Sequence, residues 1–151
     1  MNNYIILSSI GKGKTKLTSF DNALFNSGIA NYNLVRVSSI LPANCVHQNS
    51  IGLLEGSILY TAYSSITIIE PSFIASSAIA VGIPVNKNHI GVIMEHSSLM
   101  PKCKIIPIIN DMVRESMDTR KYEIEEIKTS SIEVASDGNE YVTAFSCIAM
   151  W

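Results

Sequence analysis

The chain has 151 residues, of which 47% are hydrophobic and 16% are charged, and its formal net charge is −2 at pH 7. This length fits a single domain, residues 1–151, with a core of its own, and the absence of any run of Lys or Arg argues against a nucleic-acid partner. No uninterrupted apolar run reaches the roughly 20 residues that span a membrane and no secretory signal is evident, so we expect a cytoplasmic protein without a membrane partner.

The first thirty residues predict a strand followed by a helix. Tyr4–Ser9 is apolar and predicts the strand, whereas the polar segment Gly11–Thr15 predicts a surface turn, because it lacks the first glycine of a phosphate-binding loop. The segment Thr18–Asp21 resembles a helix N-terminus with its aspartate in the first turn. The helix should run through Asn26 and end at Gly28.

The rest of the chain predicts mostly strands, with one further helix that either begins near Pro107 or is kinked by it. The last two strands are expected to form a hairpin around Asp137-Gly138. Strands with a few segregated helices indicate an α+β sandwich. The predicted strands are apolar or rich in β-branched and aromatic residues: Asn33–Ser38, Ser57–Ile69, Phe73–Ile83, His89–His96, Tyr122–Val134 and Tyr141–Met150.

One of the six Ser-Ser pairs in the chain lies in a distinctive context, and the other five are interpreted as filler. Residues 20–42, FDNALFNSGIANYNLVRVSSILP, contain Phe-Asp-x-Ala-Leu, Gly-Ile, Asn-x-Asn-Leu and Ser-Ser-Ile-Leu-Pro. Residues 91–98, GVIMEHSS, contain Met-Glu, and the stretches TAY and AIAVGIP lie between these two segments. In this order and spacing, from about Tyr4 to Trp151, the sequence resembles the pyruvoyl-dependent arginine decarboxylases.

The resemblance implies a layered αββα sandwich of mainly antiparallel sheets that assembles as a homotrimer or a dimer of trimers, with its pocket between neighbouring subunits. It also implies an inactive proenzyme that cuts itself into a β chain, residues 1–38, and an α chain, residues 39–151. The second serine then becomes a covalently bound pyruvoyl group, and no pyridoxal phosphate is needed. The implied reaction converts L-arginine to agmatine and CO₂ through a Schiff base, for polyamine synthesis.

Self-cleavage at this pair needs a nucleophile and an oxyanion donor. Ser39 Oγ can attack the carbonyl of Ser38 and convert the peptide bond into an ester. β-Elimination and hydrolysis then leave pyruvoyl, which only a serine at position 39 can yield. The side-chain amide of Asn33 is a candidate donor to the oxyanion that forms during the attack.

The decarboxylation implied by the resemblance needs two carboxyl groups. Glu95 corresponds to the acidic residue of the family's Met-Glu strand and is expected to donate the proton that replaces CO₂, from an apolar pocket that disfavours its charged form. Replacement of Glu95 by glutamine should then impair decarboxylation and leave self-cleavage intact. Asp21 corresponds to the carboxylate that holds the guanidinium of the substrate.

The remaining reactive side chains receive no role in this chemistry. The three histidines show no ligand spacing, so no metal is predicted, and His96 should face away from Glu95 because adjacent strand residues point to opposite sides. The three cysteines are widely spaced and should be free thiols, with Cys103 and Cys147 in packed positions.

Two alternatives to arginine decarboxylation stay open at this point. The same covalent group serves equally well for the decarboxylation of a different small amino acid. The second alternative is that the chain is an unprocessed, non-enzymatic trimeric homologue with a binding or regulatory role.

Overall fold

The computed structural model describes all 151 residues and consists of two helices and nine strands. Neither helix is long and apolar enough to cross a membrane. The elements in chain order are β1 (Asn3–Gly13), α1 (Lys16–Asn26), β2 (Asn33–Arg36), β3 (Ile40–Leu41), β4 (Val46–His47), β5 (Ile58–Ile68), β6 (Ile74–Pro84), β7 (Gly91–Ser98), α2 (Lys102–Thr119), β8 (Ile124–Ala135) and β9 (Tyr141–Met150).

The strands form two sheets that pack face to face. The five-stranded sheet has the order β2-β5-β9-β1-β4, and the four-stranded sheet has the order β3-β7-β6-β8. Only the short pairs β1-β4 and β2-β5 are parallel, and every other pair is antiparallel. The gap between the sheets is filled by apolar residues from both: Tyr4, Leu41, Ala62, Ile79, Val81, Ile93, Ile148 and Met150.

One helix covers the outer face of each sheet. On the five-stranded sheet, Ala23 of α1 packs against Phe145 and Cys147 of β9. On the four-stranded sheet, a buried stripe of α2 at four-residue spacing packs against small residues of β6, which allow the helix to approach closely. The layers therefore follow the order helix, sheet, sheet, helix, which confirms the predicted α+β sandwich of mainly antiparallel sheets. The stripe consists of Ile105, Ile109, Val113 and Met117.

The predicted C-terminal hairpin is wrong, because β8 and β9 belong to different sheets. β8 pairs with β6 at the edge of the four-stranded sheet, whereas β9 lies between β1 and β5 in the other sheet. Residues 136–140 thus cross from one sheet to the other. A turn signal such as Asp137-Gly138 is the same for a hairpin and for a crossover, so the local sequence does not distinguish them.

The predicted surface turn at Gly11–Thr15 and the predicted helix start at Thr18–Asp21 are also wrong. β1 continues to Gly13, and α1 begins at Lys16 with Thr15 as its N-cap. The side chains of Thr15 and Thr18 each accept from the backbone N–H of the other, which is the capping-box arrangement. Asp21 is consequently the sixth residue of α1 and lies outside its first turn. The predicted helix end is confirmed, because Gly28 has a φ of +79° directly after the cap residue.

The end of β1 contains two glycines, Gly11 and Gly13, where α1 packs closely against the strand. A Cβ at Gly11 would lie 2.2 Å from the carbonyl oxygen of Ser19 and 2.3 Å from the backbone nitrogen of Ala23. Gly11 therefore lets the backbone of α1 lie directly against the end of β1. Both clashing groups are backbone atoms, so no side-chain movement relieves the contact.

We expect Gly11→Ala to lower the free energy of unfolding by about 1–3 kcal/mol, or more, because the added methyl forces α1 away from β1. Gly52→Ala is the matched control, because nothing lies within 4 Å of a Cβ at that position. Chemical denaturation of both variants in a chain kept intact by Ser39→Ala measures the difference. Equal stability of the two glycine variants would contradict the close packing of α1 on β1.

Candidate active site

The Ser38-Ser39 pair lies where the chain crosses from one sheet to the other. β2 is the edge strand of the five-stranded sheet and pairs with β5, whereas β3 is the edge strand of the four-stranded sheet and pairs with β7. The link between these two edges is short, running from Val37 to Ser39. Ser38 is exposed and Ser39 is half-buried. The serine pair is therefore accessible and anchored on both sides by sheet pairing.

Three hydrogen bonds surround the peptide bond between the two serines. Ser39 Oγ donates to Glu95 Oε2 at 2.7 Å. The backbone N–H of Ile93 donates to the carbonyl oxygen of Ser39 at 2.9 Å, and the backbone N–H of Ile40 donates to the carbonyl oxygen of Ser38 at 2.7 Å. The first two bonds attach Ser39 to β7 through its side chain and its backbone.

Strand alternation aims Glu95 into the gap between the sheets. Ile93 belongs to the apolar cluster between the sheets, whereas Val92 and Met94 pack with α2 on the opposite face of β7. Glu95 therefore shares the face of Ile93. The structure in this way brings together two residues, Ser39 and Glu95, that are separated by 56 positions in the sequence.

Glu95 lines a cavity of about 330 Å³ at the open edge of the sandwich. Its walls are polar, so the expected apolar pocket around Glu95 is not present. His96 also lines this cavity, and its backbone carbonyl oxygen accepts from Ser64 Oγ at 3.1 Å. His96 pairs with Ala78, which packs with α2, so its side chain is expected on the face opposite Glu95. The full lining consists of Arg36, Tyr63, Ser64, Ser65, Glu95, His96 and Ser97.

Arg36 is a residue of this cavity to which the sequence analysis assigns no role. Its guanidinium carbon lies 4.6 Å from the centre of the Tyr63 ring, and Nη2 donates to the carbonyl oxygen of Tyr63 at 3.2 Å. No carboxylate pairs with it. The cavity thus holds one unpaired cation together with Glu95. The only signal in the sequence is the place of Arg36, two residues before Ser38 in the same motif.

Asp21 and Asn33 do not approach Ser39 within one chain. Asp21 is exposed on α1, on the outer side of the five-stranded sheet, and its side chain makes no hydrogen bond or ion pair. Asn33 lies at the beginning of β2, and its amide donates to the carbonyl oxygen of Gly56 at 2.6 Å. Because β2 alone spans about 10 Å from Asn33 to Arg36, Asn33 is remote from the Ser38 carbonyl of its own chain.

The other five Ser-Ser pairs, which were interpreted as filler, have a structural role. Each pair places one serine in the gap between the sheets, where the hydroxyls bond to one another or to backbone carbonyls. Ser8 and Ser130 are 2.7 Å apart, and Ser64 and Ser77 are 2.6 Å apart. These contacts form a hydroxyl layer that satisfies polar groups in an otherwise apolar core. The layer consists of Ser8, Ser64, Ser77, Ser97 and Ser130, together with Ser146.

The cysteines lie outside this site and are free thiols, as predicted. Cys147 is buried on β9, and burial raises the pKa of its thiol to about 12. Cys103 is exposed at the start of α2, so its predicted packed position is wrong. No group of three or more His, Cys, Asp or Glu side chains is arranged to hold a metal ion.

A larger cavity of about 360 Å³ lies beyond Leu41, at the other end of β3, but it contains neither Ser39 nor Glu95. Its charged groups include the ion pairs Lys87–Glu125 and Lys128–Glu126. The smaller cavity is therefore the candidate active site, because it is lined by Glu95, the carboxylate that accepts from Ser39 Oγ, although Ser39 itself does not line it.

Comparison with known proteins links this geometry to one family. The family model described as pyruvoyl-dependent arginine decarboxylase matches residues 3–151. A pyruvoyl-dependent arginine decarboxylase of Methanocaldococcus jannaschii is 31% identical over 150 residues, which cover 99% of this chain and 90% of that protein. Proteins with the same name are 39% identical over 132 residues in Thermococcus kodakarensis and 36% identical over 132 residues in Pyrococcus abyssi. These matches cover 84% and 86% of this chain and 81% and 83% of the two relatives.

Proposed function

The chain belongs to the pyruvoyl-dependent arginine decarboxylase family, and on that premise we propose that it cuts itself at Ser38–Ser39 and converts L-arginine to agmatine and CO₂. The observation that carries this proposal is the hydrogen bond of 2.7 Å from Ser39 Oγ to Glu95. This hydrogen bond places the nucleophile, Ser39 Oγ, beside the carboxylate of Glu95, which can act as its base.

The residues around Ser39 fit a pyruvoyl group at that position. Ser39 is half-buried, its carbonyl oxygen is held by the Ile93 N–H, and its side chain bonds to Glu95, which lines the cavity. The group supplies a carbonyl that binds the substrate's α-amine and accepts the electrons left when CO₂ departs. Anchoring through the backbone, which survives the conversion, would hold residue 39 at the cavity before and after it forms.

Glu95 is the proposed base of self-cleavage. In the first step Ser39 Oγ forms a bond to the carbonyl carbon of Ser38, and its proton passes to Glu95 Oε2. The Ser38–Ser39 C–N bond then breaks, and the proton is returned to the nitrogen of Ser39, which leaves an ester. Removal of the Cα proton of residue 39 expels the Ser38 carboxylate and leaves dehydroalanine. Hydrolysis then releases the nitrogen of residue 39 as ammonia and leaves the pyruvoyl group.

Glu95 also has a proposed role in turnover. Loss of CO₂ from a carboxylate substrate consumes one proton, which must reach the carbon that carried the carboxylate. Because Glu95 bonds to residue 39 and lines the cavity, we propose that it donates this proton. Arg36 leaves one cation at the cavity, where it favours the substrate's carboxylate and disfavours its guanidinium.

An assembly of several copies would complete the site. Val35, Ile58 and Tyr60 leave 41%, 55% and 37% of their surfaces exposed. Pairing of Val35 with Tyr60, and of Asn33 with Ile58, places these four residues on one face of the β2-β5 edge. Exposed apolar surface of this kind is typical of subunit interfaces. We propose a homotrimer, or a dimer of trimers, in which this surface is covered.

Such an assembly would also give Asn33 and Asp21 their proposed roles. Asn33 lies on the proposed interface surface and Asp21 is unpaired, so a neighbouring chain can present both to the cavity. Asn33 would there contact the reacting groups, and Asp21 would hold the guanidinium of arginine in a bidentate contact. The proposed preference for arginine over other amino acids therefore depends on Asp21.

Purified protein is expected to release agmatine and CO₂ from L-arginine, and Asp21→Ala should raise KM by about 10- to 100-fold, because the guanidinium loses its charged partner. Asp118→Ala is the control, since Asp118 is also exposed on a helix and its side chain has no partner. Release of ¹⁴CO₂ from labelled arginine measures both variants. Unchanged arginine turnover in Asp21→Ala would remove the guanidinium role, and no turnover by the processed wild type would remove the function.

Glu95→Gln is expected to slow both self-cleavage and turnover by about 10²–10⁴-fold, because an amide cannot accept or donate the required proton. This proposal differs from the expectation, drawn from the sequence, that the variant still processes, and the hydrogen bond from Ser39 Oγ to Glu95 is the reason for the difference. Denaturing gels follow cleavage with time, and agmatine formation is divided by the amount of cut chain. Glu140→Gln, at an exposed position outside the cavity, is the control. Cleavage at the wild-type rate in Glu95→Gln would exclude Glu95 as the base.

A further inference from the structure

We propose that the backbone N–H of Ile40 is the oxyanion donor for self-cleavage at Ser38–Ser39. The inference rests on the proposed self-cleavage and concerns its first step. Attack by Ser39 Oγ converts the carbonyl oxygen of Ser38 into an oxyanion, and that oxygen needs a donor already in place. The Ile40 N–H is within hydrogen-bond distance of this atom, at 2.7 Å between nitrogen and oxygen.

The bond closes a three-residue turn with Ser39 at its centre. A bond from the N–H of residue i+2 to the carbonyl of residue i defines a γ-turn, and Ser39 does not have a positive φ, so the turn is of the common inverse kind. Although Ile40 belongs to β3 and is paired with Val92, its N–H bonds to Ser38 outside the sheet ladder. This amide is thus available to the reacting carbonyl.

The turn is attached to a rigid neighbour on its other side. β7 holds Ser39 through the Ile93 N–H and through Glu95, and Ile93 is fully buried. The donor and the base consequently lie on the paired strands β3 and β7, and the attacking oxygen lies on the residue directly before β3. Donors fixed in this way need no reorganisation as charge develops on the oxygen, which is why such donors are effective.

Asn33 of the same chain does not compete for this role. Its amide is engaged by Gly56 at the far end of β2. The backbone amide of Ile40 is therefore the one donor that the chain itself directs at the Ser38 oxygen.

The step balances without any further reactant. Ser39 Oγ forms a C–O bond to the Ser38 carbon, and its proton goes to Glu95. The carbonyl π electrons move onto the Ser38 oxygen, where the Ile40 N–H stabilises the charge. Collapse of this intermediate breaks the C–N bond, and the nitrogen takes the proton back from Glu95.

The direct test replaces the Ile40 amide by an ester, using the α-hydroxy acid analogue of isoleucine. This change removes the N–H and keeps the side chain and backbone shape. Loss of one oxyanion donor typically costs about 10²–10³-fold in rate, and we expect the same decrease in self-cleavage, followed by intact mass measurements with time. Cleavage at the wild-type rate in the ester-substituted chain would overturn the proposal.

Two genetically encoded variants support the test. Ile40→Pro also lacks the N–H and should be slowed at least as much, whereas Ile40→Val keeps it and should cleave within about threefold of the wild-type rate. Hydroxylamine, which cuts esters, should release no additional fragment from Ile40→Pro, since the slowed step precedes ester formation. Rapid release by hydroxylamine would place the defect at elimination and contradict the oxyanion role.

The result also separates this inference from the proposed function. If the wild-type chain cuts itself and the ester-substituted chain does so at the same rate, only the proposed role of Ile40 is wrong. If the wild-type chain remains uncut, the proposed self-cleavage fails first. Circular dichroism of the ester-substituted chain, matched to Ser39→Ala, verifies that the sandwich is intact.

Discussion

The crossover from β2 to β3 fixes the geometry of the candidate active site, because it holds the serine pair between the edges of two sheets. One short link joins the edge strands of two sheets, and its middle is attached to β7 by a side-chain bond and a backbone bond. Ser38 is exposed and Ser39 is half-buried, and the peptide bond between them is held in a defined turn beside a carboxylate. Preorganisation of this kind, more than the identity of the two serines, distinguishes this pair from the other five.

The same architecture explains how the chain can be cut there without losing its fold. The segment before the cut contributes β1, which pairs with β9 over ten residues in the centre of the five-stranded sheet, and β2, which pairs with β5. The segment after the cut contributes every other strand. Both segments share the apolar core between the sheets. Cleavage at the crossover would thus disconnect β2 from β3 while leaving each strand hydrogen-bonded to its neighbour in its own sheet.

Sequence patterns predict those features that depend on local composition or on one long motif. The strands and the sandwich class follow from the hydrophobic pattern, the helix end follows from the C-terminal glycine signal at Gly28, and the motif around Ser38-Ser39 indicates the family. The sheet to which β8 and β9 belong, the hydroxyl layer and the turn at Ile40 depend on tertiary pairing. In the sequence Thr18 resembles a helix cap and predicts Asp21 in the first turn, whereas the actual cap is Thr15, whose side chain accepts from the backbone N–H of Thr18.

Self-cleavage at Ser38–Ser39 can be tested by the intact mass of the purified wild-type protein, measured with and without a hydrazine that labels ketones. The account predicts two polypeptides, residues 1–38 with an unmodified C-terminus and residues 39–151 with a ketone in place of the N-terminal amine. Only the larger polypeptide should take up the label. A single unlabelled chain of 151 residues, unchanged after prolonged incubation, would contradict the account.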